Sequence, residues 1–458
     1  MLKDIEQKLK DFENEGVKRI KFAVTDIDGV LRGKYISMDK FRSIVQATGD
    51  FCDCVFGWDI NDQLYDNAAF TGWHTAFPDA PIRLDLSTER RLADEGGIPF
   101  YLAEFLGSGG ENSHPVCPRS LLQRVLKRAE DMGYGVNLAF EYEFSVFSET
   151  PHSVREKNFR NLTPLSPGMF GYSILRNSWR SDLFNEFMEY FRNMDIELEC
   201  LHCETGPGVW EAAIMYDSGI RGADKANLFK TFSKTFFLKR EMLATFMAKW
   251  SLSYPGQSGH LHHSLFDLKS GRPVFFDESA PHCMSEQMRR FIAGLQKYLR
   301  PFLLMSAPAI NSYARLVKGA WAPTSATWGV DNRTTALRAI PGDGKSQRIE
   351  FRVGAADGNP YLVSAAVIGA GLKGIEQKLP LDEPVKGNAY DSEDDLPEHL
   401  QFPTNLRDAT RLFAESKEAR ELFGDEFVNH YVSTREWEAR EHEKQITDWQ
   451  LERYFEII

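Results

Sequence analysis

Apolar residues recur at helical spacing near the start of the chain, at Leu2, Ile5, Leu9 and Phe12, and the pattern stops at Gly16. Ile20 to Val24 then reads as a strand, Asp26-Ile27-Asp28-Gly29 as a turn, and Leu31 to Ile36 as the hairpin partner. Residues 51–77 mix Phe51, Phe56, Trp58, Tyr65, Phe70, Trp73 and Phe77 with Asp59, Asp62 and Asp66, a composition that suits a binding loop and a half-buried sheet equally. Tyr101 to Leu106 is a further strand, and the stretch from Gly107 to Ser113 has the composition of a linker. It divides the chain into a small N-terminal domain, 1–112, and a large domain, 113–458. In the second, Arg119 to Met132 reads as an amphipathic helix ended by Gly133. Short strands then alternate with helices over 184–194, 223–240, 285–304, 360–375, 406–422 and 428–454. There is no regular strand–helix–strand rhythm, so the expected fold class is α+β.

Several strand-like segments carry charged residues at every second position. In Ala139-Phe140-Glu141-Tyr142-Glu143-Phe144-Ser145, the period of two sends both carboxylates to one sheet face and the aromatics to the other. His260-Leu261-His262 repeats the pattern with imidazoles, and Arg348-Ile349-Glu350-Phe351-Arg352 repeats it with Arg, Glu and Arg. A fourth segment offers Glu204 and Glu211 on either side of Gly206-Pro207-Gly208. A solvated face explains any one of these. If the charged faces converge, Glu141, Glu143, Glu204, Glu211 and Glu350 share a cavity in which their repulsion calls for divalent cations. Oxygen-rich ligation with few imidazoles favours Mg²⁺ or Mn²⁺ over zinc. The interleaved arginines point to a phosphate or carboxylate beside the ions.

The 54 Lys and Arg against 66 Asp and Glu give a net charge of −12 with both signs dispersed, which argues against nucleic acid or an anionic membrane as partner. The most apolar stretch, 361–375, is interrupted by Lys373 and three glycines, so neither a targeting nor a spanning segment is expected. Six cysteines without paired zinc-module spacing fit a reducing cytoplasm. Two further motifs fail their own context. Asp26-Ile27-Asp28-Gly29-Val30 looks like the nucleophile motif of haloacid-dehalogenase-type phosphatases, but the best downstream acidic pair, Asp394-Asp395, reads as loop. Gly342-Asp343-Gly344-Lys345-Ser346 lacks the first glycine of a P-loop and leads into a strand.

Over nearly its whole length the chain resembles the glutamine synthetases. The resemblance rests on Cys117-Pro118-Arg119, Glu141-x-Glu143-Phe144, His202-Cys203-Glu204 with Trp210-Glu211, Phe246-Met247-Ala248-Lys249 and Gly259-His260-Leu261-His262-His263-Ser264. It continues through Asn311-Ser312-Tyr313-Ala314-Arg315, Asn332-Arg333, Arg348-Ile349-Glu350-Phe351-Arg352 and Asn359-Pro360-Tyr361-Leu362. It implies a small β-grasp domain before a catalytic domain whose antiparallel strands line a funnel. It also implies a homo-oligomeric ring, usually a dodecamer, with active sites between subunits.

By the resemblance, one metal ion is held by Glu143, Glu204 and Glu211 and another by Glu141, His260 and Glu350. ATP falls to His262, Ser264, Arg333, Lys345 and Arg348, and L-glutamate with the transferred phosphate to Gly256, Arg315, Arg338 and Arg352. Arg333 and Arg338 neutralise the transferring group, and the reaction joins the γ-carboxylate of glutamate to an amine through γ-glutamyl phosphate.

Departures from the family bear on the amine. Where glutamine synthetases carry a flap Gly-aromatic-Glu-Ala-Pro whose Glu binds ammonium, this chain has Gly319-Ala320-Trp321-Ala322-Pro323. The Asp-Gly-Ser-Ser loop expected from a neighbouring subunit is replaced by Phe56-Gly57-Trp58-Asp59-Ile60-Asn61-Asp62. Pro255 and Val209 also depart from the expected Asn and Gln, and Asn388-Ala389-Tyr390-Asp391-Ser392-Glu393 departs from the Asn-Leu-Tyr-Asp-Leu-Pro context of adenylylated synthetases. The expected donor is therefore a small organic amine packed against Trp321, with Asp59 or Asp62 as proton acceptor. An ammonia-using glutamine synthetase is the alternative. A non-catalytic assembly protein is a further alternative, opposed by the six intact metal positions.

Overall fold

The computed structural model describes residues 2–107 and 113–458; residues 108–112, which carry most of the expected linker, lie outside the described residues. The first sheet comprises β1 (Arg19–Thr25), β2 (Leu31–Ser37), β3 (Gly49–Cys52), β4 (Asp79–Leu92) and β5 (Ile98–Phe105). Its order is β2-β1-β5-β4-β3, with β1 and β5 parallel and the other pairs antiparallel, which is the β-grasp arrangement. Helices Leu2–Asn14 and Met38–Gln46 join its core through Phe12 and Phe41.

The expected hairpin forms with Thr25 opposite Leu31. Asp26 Oδ1 accepts from Asp28 N at 3.0 Å and Val30 N at 2.8 Å, so the phosphatase-like motif is an Asx-capped turn. Asp343 likewise accepts from Lys345 N and Ser346 N, closing a turn in place of a phosphate cradle.

The second sheet comprises β6 (Tyr134–Phe147), β7 (Leu198–Cys203), β8 (Val209–Ile214), β9 (Asp217–Ser218), β10 (Leu243–Thr245), β11 (Gly259–Asp267), β12 (Trp328–Val330), β13 (Leu337–Ile340) and β14 (Arg348–Phe351). The order is β12-β13-β14-β11-β6-β8-β7, with β9 and β10 also paired to β6. The expected antiparallel pattern holds except between β12 and β13, which run parallel. The period of two on β6 buries Phe140, Tyr142 and Phe144 against helices Ser181–Arg192 and Ile220–Leu238, with Tyr142 stacked on Phe229 and Phe144 on Phe187. The opposite face is left to the charged residues.

Two long helical patterns are each split by a capping residue. Ser416 ends Leu406–Glu415 and caps Lys417–Phe423, and Thr447 caps Asp448–Tyr454 after Asp425–Glu443. Arg119, buried on helix Pro118–Asp131, donates to Asp85 and Glu104 of the first sheet and to Asp224 of helix Ile220–Leu238. It pins the two sheets' surroundings together.

The aromatic stretch 51–77 begins with the end of β3 and a short 3₁₀ turn, Asp53–Phe56, and is otherwise loop. Phe56 and Tyr65 are buried and Trp73 is exposed. Phe56, Phe70 and Phe105 enclose His114, and the first two also flank His430, whose buried ring nitrogens have no hydrogen-bond partner among the described residues. Burial pushes His114 down to about 4 and His430 to about 3. Unfolded, both take a proton near pH 6.5, so their stabilising contribution is complete above that pH and is lost as pH falls below it. Each costs about 1.4 kcal/mol per pH unit below that point until it protonates in the folded state. His430→Leu is expected to move the acid unfolding midpoint, followed by circular dichroism, to lower pH; a midpoint that stays put or rises contradicts this account.

Candidate active site

Strand register assembles the charged residues side by side. Glu141 on β6 faces His260 on β11, Glu143 faces Glu211 on β8, and Glu211 in turn faces His202 on β7. On the other side His262 faces Glu350 on β14, and Glu350 faces Arg338 on β13. The four alternating segments therefore converge on one face, where they line a basin of about 680 Å³. Arg315, Arg333, Arg348 and Arg352 line it as well, with Gly256, Ala320 and Trp321.

Glu350 is the electrostatic hinge of one half. It accepts from Arg338 Nη1 at 2.8 Å and Arg352 Nη1 at 2.5 Å, and its Oε1 lies 3.4 Å from His260 Nδ1. Burial would raise its pKa, but the charges of His260 and Arg352 hold it at about 2. Beside it, His262 Nε2 lies 3.0 Å from Glu141, and Arg348 Nε donates to His262 Nδ1 at 3.2 Å. Arg315 is buried and donates to the carbonyls of Val353 and Arg352, so its guanidinium braces the backbone behind the arginines.

In the other half, His202 Nε2 lies 3.1 Å from Glu204 and 3.5 Å from Glu211. Donor atoms of these three residues lie within 4.8 Å of one another. Glu143 Oε2 accepts from Ser258 N at 2.7 Å. Burial, and then the charges of Glu141 and Glu143, push Glu211 up to about 11.

This donor set fits hard divalent cations: several carboxylates crowded into one basin, Glu211 among them held protonated by burial and by its acidic neighbours, and His260 with both nitrogens buried and without a hydrogen bond among the described residues. A dication among them replaces mutual repulsion with attraction. Mg²⁺ is therefore expected to raise the thermal unfolding midpoint in proportion to the logarithm of its concentration. At a hundredfold excess over Kd the stabilisation is about 2.7 kcal/mol, and chelation reverses it. An unfolding midpoint insensitive to Mg²⁺ and Mn²⁺ counts against the cation reading.

Four expected site residues do not line the basin of their own chain. Ser264 sits further along β11, opposite Asn137, and Lys345 is exposed in the Asx turn. Asp59 is buried, its Oδ1 accepting from Asn61 N and Gln63 N and its Oδ2 from Trp437 Nε1. Asp62 is exposed and pairs with Arg32 at 2.7 Å. Conversely, Tyr172 lines the basin although no motif marks it. Its backbone is left-handed, with φ of 58°, and its ring stacks on His202 at 4.4 Å. Residues 115–454 match the glutamine synthetase catalytic domain.

The chain belongs to the glutamine synthetase family.

It is accordingly a carbon–nitrogen ligase, from a family that uses ATP and divalent cations. Among its glutamine synthetase relatives, "Type-1 glutamine synthetase 2" of Dictyostelium discoideum is 47% identical over 96% of this chain and 84% of its own length. The glutamate–isopropylamine ligase of a Pseudomonas species is 37% identical over 98% of both chains. The γ-glutamylethanolamide synthetase of Streptomyces coelicolor is 35% identical over 96% of this chain and 93% of its own. A solved structure described as apo GmaS without ligand superposes with a TM-score of 0.84 at 23% identity, over 98% of this chain and 99% of that one, a likeness of fold. Within the glutamine synthetase frame, His202 is a donor that the sequence offered openly: on β7 and its continuation, Cys200, His202 and Glu204 share one face.

Proposed function

We propose that the enzyme is an ATP-dependent γ-glutamylamide ligase that joins L-glutamate to a small organic amine in amine catabolism. The observation that carries this reading is Trp321, exposed at the rim of the basin beside Ala320, where the family's flap has an ammonium-binding carboxylate. Two relatives support it, one named as a ligase of glutamate and isopropylamine and the other as a synthetase of γ-glutamylethanolamide.

In this reading Arg333 and Arg338 face the phosphate being transferred, Arg348 and His262 hold the nucleotide side, and Arg315, Arg352 and Gly256 form the glutamate side. Glu143, Glu204, Glu211 and His202 would hold one cation, and Glu141, His260 and Glu350 a second. Bound there, Mg²⁺ or Mn²⁺ would supply charge neutralisation for the polyphosphate. A γ-carboxylate oxygen of glutamate attacks the γ-phosphorus of ATP, the bond to the β-phosphate oxygen breaks, and ADP leaves. The amine lone pair then attacks the γ-carbonyl carbon, the bond to the phosphate oxygen breaks, and the nitrogen loses its proton to the released phosphate or to water. Arg333 and Arg338 stabilise the charge in both steps by pointing fixed donors at oxygens that gain it.

Glutamate carrying ¹⁸O in its γ-carboxylate tests this sequence. Transfer of one ¹⁸O to the released phosphate for each amide formed is the expected result, and unlabelled phosphate overturns it. Ammonia as donor is the second reading, favoured by the name of the Dictyostelium relative. A homo-oligomeric ring completes the proposal, supported by exposed Ile174, Leu175, Phe455 and Ile457. Light scattering that returns a monomer mass contradicts it. The proposed location is the cytoplasm; among the described residues no helix is long and apolar enough to cross a membrane.

A further inference from the structure

The flap that carries Trp321 holds an unfavourable backbone. Trp321 has φ of 59° and Gly319 of 81°, and a bulky aromatic residue keeps the left-handed conformation only where its surroundings impose it. The tie comes from a segment distant in sequence. Tyr390 Oη donates to the carbonyl of Ala322 at 3.1 Å, immediately after Trp321, and Lys318 Nζ pairs with Asp394 at 3.2 Å, immediately before Gly319. The segment around Tyr390 thus grips the flap at both ends.

The same segment is anchored to the loop that carries Arg333. Asn332 Nδ2 donates to the carbonyl of Gly387 at 2.8 Å, and Ala389 N donates to Thr334 Oγ1 at 2.9 Å. These two contacts bracket Arg333, whose own carbonyl accepts from Arg352 Nε at 3.2 Å. Asn388 Oδ1 accepts from Tyr390 N and holds the start of the turn in which the tyrosine sits. A short run of hydrogen bonds therefore leads from the arginine on the phosphate side, through Tyr390, to the tryptophan at the rim.

We propose that Tyr390 is a positioning residue for the amine flap: its hydroxyl fixes Ala322, and through it Trp321, in a pose set by the Arg333 loop. The assignment rests on the reading that this flap faces the nitrogen donor. It does not depend on which donor is used. One neutral hydrogen bond and one exposed ion pair tie the flap to this segment, which joins the amine side to the phosphate side.

Tyr390→Phe removes only the hydroxyl. Measured with whichever donor the wild-type enzyme prefers, it is expected to raise the donor's KM by about tenfold, the range set by loss of one hydrogen bond. KM for ATP and for glutamate should stay within about twofold. Amide formed per ATP consumed should fall, because a loosened flap admits water to the acyl phosphate. Hydrogen–deuterium exchange in 317–323 should quicken while the rest of the chain is unchanged. Lys318→Ala should reproduce the exchange change at the flap's other end. Tyr390→Phe combined with Trp321→Ala should be no worse than Trp321→Ala alone, since the tyrosine acts through the tryptophan. Unchanged donor KM with unchanged exchange in 317–323 overturns the proposal, and so does an equal loss for all three substrates. The donor class is read on the wild-type enzyme alone, so failure of the organic-amine reading and failure of the Tyr390 assignment are separate results.

Discussion

Glu350→Ala is expected to lower cation-dependent ATP turnover by about a thousandfold, the scale on which removal of preorganised charge acts in phosphoryl and acyl transfer. The expectation follows from how the residue is held. Glu350 is 2% exposed, and two guanidiniums and one imidazole converge on its two oxygens. Deleting the carboxylate removes a proposed cation ligand and at the same time takes away the counter-charge that Arg338 and Arg352 share. Arg338 then retains Asp331 as its partner and is free to turn away from the basin, where the proposal places the phosphate. Both losses fall on the groups proposed to serve the chemical step, so the drop should appear in kcat. Single-turnover conversion of ATP to ADP, with circular dichroism as a check of folding, measures it. Wild-type turnover in the variant would refute this map of the cation site.

Trp321→Glu is expected to lower the ratio of kcat/KM for the best organic amine to that for ammonium by about 10- to 100-fold, the range that one or two methylenes in an apolar subsite command. An alkylamine with an ordinary pKa of about 10.4 must give up roughly 4 to 5 kcal/mol to present its neutral form at pH 7. Apolar contact with an indole disfavours the charged form and lowers that cost, whereas a carboxylate stabilises a cation and welcomes ammonium. The substitution returns the charge pattern of the family's ammonium flap to a loop whose geometry is held elsewhere. An unchanged preference would remove the basis for giving Trp321 a role in donor choice.

Much of the site was legible because sheet periodicity is a strict rule. Once Phe140, Tyr142 and Phe144 are assigned to the core, Glu141 and Glu143 have only one face left, and the antiparallel register brings His260 and Glu211 beside them. The β-hairpin at Thr25 was legible for the same reason. Strand β4 was not, because Arg83, Asp85, Glu89, Arg90 and Arg91 mask its alternation and the register shifts between Asp85 and Arg90. Tyr172 was hidden because a left-handed turn, and no local pattern, brings it to the basin. Ser264 has the same strand parity as His262 but lies one step too far along β11, a distance that parity alone does not resolve. Asp59 was singled out because its segment stands where the family carries a loop from the neighbouring subunit; in this chain its oxygens accept from Asn61 N, Gln63 N and Trp437 Nε1, partners that sequence spacing does not disclose.

Phosphate release from ATP with Mg²⁺ and L-glutamate, compared for ammonium, methylamine, isopropylamine, ethanolamine, putrescine and aniline at matched concentrations, decides which amine the enzyme uses. Turnover with one of the organic amines well above that with ammonium is the predicted result. Ammonium in first place would contradict it and make the enzyme a glutamine synthetase in which Trp321 serves packing.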